Sequence, residues 1–226
     1  MAEVIVALDL KSRAEAEAAV EQLPGLAWVK VGSILMTREG IPLVRSLVDR
    51  GLKVFLDLKW HDIPNTVVGA VDQARDMGVS MVTVHTLGGP RMMEAAATAG
   101  GDDLAVVGVT VLTSHTEADY QSLIGRKDIN LTEEVVRLAE GARWAGLAGV
   151  VCSPREAALV RAALGARALV VVPGIRRHRD PAGDQARTAT PREARAAGAT
   201  HLVVGRPILA ADDPAEAFAE IRAVAG

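Results

Sequence analysis

Val4-Ile5-Val6-Ala7-Leu8-Asp9-Leu10-Lys11 is a short, unbroken apolar run that ends in charge. An unbroken run of this length fits a strand buried on both faces, the condition of a parallel sheet. A doubly wound open sheet that binds a dinucleotide is expected to follow its first strand with a glycine-rich loop. Here Asp9-Leu10-Lys11 stands in that place, and the first strand passes straight into polar residues. The same unit recurs downstream. Strands are expected at Val4–Leu8, Trp28–Val31, Val54–Leu58, Met81–His85, Ala105–Leu112, Gly149–Cys152, Leu169–Val172 and Leu202–Val204. Stretches of helical period fall at 12–22, 37–50, 65–77, 90–98, 131–145, 154–163, 191–197 and 213–224. Eight units in 226 residues is about 28 residues per unit, near the lower end for a (β/α)₈ barrel of roughly 200–400 residues. The expected fold is therefore α/β: a TIM barrel of eight parallel strands, one domain over residues 1–226. The doubly wound sheet is the competing architecture. Two longer connections that follow strands, 113–130 and 175–189, are candidate active-site loops.

Composition narrows the function. Half the residues are hydrophobic and 23% are charged, so the chain can build a real core. Three tryptophans, two phenylalanines and one tyrosine leave that core mainly aliphatic. With 25 basic and 28 acidic residues and a net charge of −3, no nucleic-acid footprint is present, and stacking aromatics are few. The lone Cys152 excludes an intrachain disulfide framework and a multi-cysteine zinc site. No apolar run reaches 18 residues and no basic n-region precedes Val4, so neither a membrane span nor a signal peptide is expected, and the cytoplasm is the default location.

A barrel carries its chemistry at the C-terminal ends of its strands. Those ends hold Asp9, Lys30, Asp57, Lys59, Asp62, His85, Thr113 with Ser114, Pro173-Gly174-Ile175-Arg176 and Gly205-Arg206. Any one charge there can simply meet solvent; the set is concentrated, because the opposite strand ends hold far fewer. Asp57 and Lys59 are spaced i, i+2 and are expected on the same side of strand 3. Buried charges there need good geometry and further partners, which Lys30 and Asp62 can supply. A salt bridge that only ties two strands together is the plainer reading of the same residues. Gly205-Arg206 and Arg176 suit a phosphate, and the polar 177–189 stretch suits a covering loop. His85 reads as lining the mouth or packing on strand 4, His61 as orienting its loop, Cys152 as a small core residue, and Met92 and Met93 as helix packing.

The run Leu56-Asp57-Leu58-Lys59-Trp60-His61-Asp62-Ile63-Pro64-Asn65-Thr66 resembles the signature of the orotidine 5′-phosphate decarboxylase family, D-x-K-x-x-D followed by I-P-N-T. D-x-K-x-x-D alone is shared with related barrel enzymes; the full run is far more specific. The resemblance extends along the chain through Leu8-Asp9, Lys30-Val31-Gly32, Val111-Leu112-Thr113-Ser114, Val172-Pro173-Gly174-Ile175-Arg176, Asp184-Gln185-Ala186-Arg187 and Val203-Val204-Gly205-Arg206. Trp60, where phenylalanine is usual, is the one departure.

The resemblance implies a cofactor-free, metal-free decarboxylation of orotidine 5′-phosphate to UMP and CO₂ in a homodimer with shared active sites. From the charge balance and the lack of long apolar runs, no nucleic-acid or membrane partner is expected. Lys30, Asp57, Lys59 and Asp62 would form a charged tetrad, with Asp62 reaching into the partner subunit's site and Lys59 protonating C6. Asp9 and Lys30 would hold the ribose hydroxyls, and Thr66 would reach ribose across the dimer. Thr113 would meet the pyrimidine edge, with Ser114 as the alternative. Gln185, Arg206 and the Gly205 backbone would hold phosphate, with Arg176 at the same end. Ile63 and Pro173 complete the expected substrate contacts. The nearest rival is a sugar-phosphate decarboxylase or aldolase that uses D-x-K-x-x-D to hold Mg²⁺; a non-catalytic ligand-binding barrel is the other. The Ile63–Thr66 continuation and the Gln185/Arg206 pair argue against the first, and the intact lysine and aspartates against the second.

Overall fold

The computed structural model describes residues 2–177, 180 and 187–226. Eight strands alternate with helices: β1 (Glu3–Ala7), α1 (Arg13–Glu21), β2 (Trp28–Gly32), α2 (Ser33–Asp49), β3 (Lys53–Trp60), α3 (Pro64–Asp76), β4 (Met81–His85), α4 (Gly89–Gly100) and β5 (Ala105–Val109) come first. There follow α5 (Glu117–Ile124), α6 (Leu131–Trp144), β6 (Gly149–Val151), α7 (Ala157–Leu164), β7 (Leu169–Val172), α8 (Pro191–Ala196), β8 (His201–Val204), α9 (Arg206–Leu209) and α10 (Pro214–Ala225). Every strand pairs in parallel with its sequence neighbour, and β8 returns to β1, so the sheet closes as a (β/α)₈ barrel. Closure excludes the open-sheet alternative.

The apolar runs are buried on both faces because they serve two cores. Val4, Val6, Val29, Val31, Val54 and Leu56 face the helices. Their neighbours Ile5, Ala7, Trp28, Phe55, Met81 and Val107 pack inside the barrel. Gly149 shows how tight that closure is. A Cβ there would stand 2.0 Å from the Leu169 carbonyl oxygen, so no side chain fits where β6 meets β7.

Several boundaries differ from the sequence expectation for identifiable reasons. The helix expected from residue 37 starts at Ser33, and Gly40 (φ 63°) kinks it ahead of Pro42, which lacks the amide a continuous helix needs. The 113–130 connection contains α5, opened by a Thr116–Asp119 capping box and closed by Gly125 in the left-handed conformation. β5 ends at Val109 rather than Leu112, and α7 begins at Ala157 rather than 154. The chain between β6 and α7 is held instead in hydrogen bonds around Ser153 and Glu156.

Candidate active site

Alternate residues along the inner strand faces change from apolar to polar toward the C-terminal end. Ala7 leads to Asp9, Trp28 to Lys30 and Phe55 to Asp57, while Met81 leads through Thr83 to His85. Above this change opens a cavity of about 620 Å³. Asp9, Lys30, Asp57 and Lys59 line one side; Thr113, Pro173, Gly174, Arg176, Gly205 and Arg206 line the other. Aliphatic Val109, Val151, Val203 and Leu209 fill the walls, and Phe55 is the one aromatic among the described lining residues.

The charges alternate in sign. Lys30 Nζ lies 2.8 Å from Asp9 Oδ1 and 3.6 Å from Asp57 Oδ2, and Lys59 Nζ lies 2.8 Å from Asp57 Oδ1. The Lys30 and Asp57 side chains are 10% and 14% exposed, against 40% for Lys59. Lys59 is thus the more exposed lysine of the set, braced from behind by Asp57. Burial pushes the Asp57 carboxyl up, but Lys30, Lys59 and the Thr83 hydroxyl outweigh it and hold the group below the usual aspartate range. Asp57 stays an anion. Gly32 leaves room for the arrangement: a Cβ there would come within 3.0 Å of Lys30 Nζ.

The i, i+2 expectation for Asp57 and Lys59 needs a correction in its cause. Their side chains do meet, but the strand is not regular between them. The β3–β4 register shifts between Leu56 and Trp60, and Lys59 adopts φ 53°, alone in positive φ among the described non-glycine residues. Thr83 holds the bulge. Its hydroxyl accepts from the Lys59 amide at 2.8 Å and donates to Asp57 Oδ1 at 3.1 Å. A bulge re-aims a side chain, and a strained residue over-determined by its neighbours is typical of functional sites. Thr83 was missed in the sequence. Its one signal is a hydroxyl in the otherwise apolar run Met81-Val82-Thr83-Val84, two residues before His85.

Other expected residues sort by location. Thr113 lines the cavity and Ser114 does not; Pro173, Arg176, Gly205 and Arg206 all line it. Asp62, Ile63 and Thr66 lie outside it, exposed at the β3–α3 edge. Asp62 accepts a 2.6 Å hydrogen bond from the Ile63 amide, so within one chain Asp9, not Asp62, completes the charged set. Gln185, with most of the 177–189 stretch, falls outside the described residues. His85 stacks on His61 with ring centroids 5.6 Å apart and accepts from the Leu87 amide at 3.3 Å. Burial, with the nearby His61 and Lys59, pushes His85 down to about 4, so it is neutral near pH 7. The two rings stack where the end of β4 meets the β3–α3 connection. Cys152 is buried and its thiol is pushed far up by burial, which removes it as a nucleophile. Met92 and Met93 are core residues of α4.

Comparison with known proteins places this geometry. Residues 2–221 match the orotidine 5′-phosphate decarboxylase / HUMPS family. The chain is 52% identical to the orotidine 5′-phosphate decarboxylase of Halorhodospira halophila, covering 97% of this chain and 94% of that protein. It is 50% identical to that of Alkalilimnicola ehrlichii, covering 96% and 94%. The crystal structure of the Lactobacillus acidophilus orotidine 5′-phosphate decarboxylase superposes over the full length of both chains with a TM-score of 0.88 at 34% identity. With match, identity and barrel all extending over nearly the whole length, the chain belongs to the orotidine 5′-phosphate decarboxylase / HUMPS family.

Proposed function

We propose that this protein decarboxylates orotidine 5′-phosphate to UMP and CO₂, a carboxy-lyase step of de novo pyrimidine synthesis, as a single-domain cytoplasmic enzyme without metal or cofactor. The observation that carries the reading is the alternating Asp9–Lys30–Asp57–Lys59 set at the mouth of an aliphatic cavity. When the bond from C6 to the carboxylate breaks, the electron pair stays on C6 in the plane of the ring, where no π-system absorbs it. A fixed ammonium at that carbon stabilises the developing charge and then supplies the proton. Lys59 is the exposed cation of the set, aimed by the bulge and paired with an aspartate that stays ionised. Asp57 faces the substrate carboxylate, a like-charge contact relieved as CO₂ departs. Preorganised electrostatics carries the larger share, because the lysines, aspartates and Thr83 hold one another in place.

Around this centre, Asp9 and Lys30 hold the ribose hydroxyls and Thr113 meets the pyrimidine edge. Gln185, Arg206, Arg176 and the Gly205 backbone hold phosphate, with Pro173 on the same wall. Phosphate and ribose lie away from the reacting carbon, so their binding energy can align the charged set. Asp62, Ile63 and Thr66 stand exposed outside the cavity, which suits contact with a partner subunit's site in a homodimer. Nucleic acid and membrane have no part in this reading; among the described residues no helix is long and apolar enough to cross a membrane.

The Mg²⁺ rival needs carboxylates free to ligate. Asp57 is instead engaged by two lysines and a threonine, and Asp62 by its own loop. Orotidine 5′-phosphate mixed with the protein and followed by UV absorbance tests the reading. Conversion to UMP at the same rate with and without EDTA is expected. Loss of conversion in EDTA supports the metal-dependent rival, and no conversion in either sinks the proposal. For the shared site, mixing an Asp62→Ala chain with a Lys59→Ala chain under subunit exchange is expected to recover activity through hybrid dimers. No recovery counts against it.

A further inference from the structure

A second ionic cluster is buried at the mouth, outside the charged set. Arg187 Nη1 and Glu156 Oε1 pair at 2.8 Å with side chains 6% and 4% exposed. The other Glu156 oxygen accepts from the Ser153 hydroxyl, and Arg187 Nη2 donates to the Leu112 carbonyl at 3.2 Å. The Arg187 Nε–H is buried with no hydrogen-bond partner among the described residues. The members come from three connections: Leu112 after β5, Ser153 and Glu156 after β6, and Arg187 after β7. Arg187, Glu156 and Ser153 do not line the cavity, but the segments they join do, through Leu112 and Thr113 on one side and Pro173, Gly174 and Arg176 on the other. Two residues beyond Arg187, the Ala189 amide donates to the Gly174 carbonyl and the Ala189 carbonyl accepts from the Arg176 amide, at 3.3 and 2.9 Å.

A buried ion pair with a spare donor is a poor source of stability, because desolvating both charges offsets their attraction. Its distinguishing property is geometric. A planar guanidinium holds two acceptors at a fixed angle, which a lysine cannot do. Resting on the decarboxylase reading, we propose that Arg187 is a positioning residue: clamped by Glu156, it fixes the Leu112 carbonyl, and with it Thr113, against the Gly174–Arg176 wall, setting the distance between the pyrimidine-edge and phosphate-end contacts.

The paired variant Glu156→Leu/Arg187→Met removes both charges, so it keeps the fold without leaving one charge buried alone. Its KM for orotidine 5′-phosphate and its Kd for UMP are expected to rise about tenfold or more, with kcat changed less than about threefold, as displaced walls weaken binding while Lys59 stays braced. Arg187→Lys, which keeps the pair but lacks the fork, is expected to stay folded and still show the raised KM. Amide exchange at residues 113–115 supplies a readout independent of turnover, since the His115 amide donates to the same Leu112 carbonyl. Exchange there is expected to quicken in the paired variant. Unchanged KM and Kd in the paired variant of an active enzyme overturn the positioning role. Unchanged exchange overturns the clamp even if the wild-type chain proves inactive, an outcome that separately refutes the decarboxylase reading.

Discussion

The two ends of the barrel interior treat polar groups in opposite ways. At the N-terminal end, His201 packs edge-on against Trp28 with ring centroids 5.2 Å apart, and Lys53 lies over the indole at 5.4 Å. Burial, reinforced by Lys53, pushes His201 down to about 4. The protein keeps that end closed by keeping its buried group neutral. At the C-terminal end the same inward positions carry ionisable residues set anion beside cation, and Lys30 and Lys59 hold the Asp57 carboxyl below the usual aspartate range. A barrel interior thus excludes isolated charge at one end and concentrates compensated charge at the other. Only the second arrangement leaves an ammonium group facing a cavity.

Three substitutions test that contrast. The largest effect belongs to the mouth. Lys59→Ala is expected to lower turnover by at least about 10³-fold while UMP affinity changes little, measured by decarboxylation assay and by titration with UMP. Near-normal turnover would remove the ammonium from the mechanism. At the closed end the loss is structural. Trp28→Ala is expected to cost about 3–5 kcal/mol in denaturant unfolding, with activity per folded molecule nearly unchanged. A variant of normal stability and lost activity would mean that the two ends are coupled.

The smallest effect is a pH dependence. His201 has a folded pKa below its unfolded value of 6.5, so protonation favours the unfolded chain. Its contribution is fully present above pH 6.5 and is lost as pH falls toward about 4, a loss of up to about 3 kcal/mol. Asp57, also lowered, acts in a separate window: its contribution holds above the ordinary aspartate value of 3.8 and is lost further into acid. His201→Gln is therefore expected to flatten the fall in unfolding free energy between pH 6.5 and 4, leaving the decline below 4 in place. An unaltered slope assigns the upper window to other groups, His85 among them.

The eight βα units were legible because unbroken apolar runs and helical periods are local signals, and all eight strands lie at or within a few residues of their expected places. Two kinds of feature were not legible. Short helices built on caps, such as α5 with Thr116 and Asp119, are hidden in polar sequence that also reads as loop. Bulges leave no periodic trace: Lys59 in positive φ and the Thr83 hydroxyl beneath it depend on the register of β3 against β4, which neither strand encodes alone. The same holds for the Arg187–Glu156 pair, joined across 31 positions of chain.

By itself the sequence determined the parallel strands, the helices between them and the residue types gathered at one set of strand ends, since each follows from hydrophobic pattern and position along a strand. Tertiary structure decided which of those residues meet. It closed the sheet, seated Asp9 beside Lys30, raised Lys59 over Asp57 and left Asp62 facing outward. The physical reason is that buried charges are stable only in contact with their counter-charges, and those contacts depend on the register of β1, β2 and β3 and on the bulge in β3, which no single strand's pattern carries.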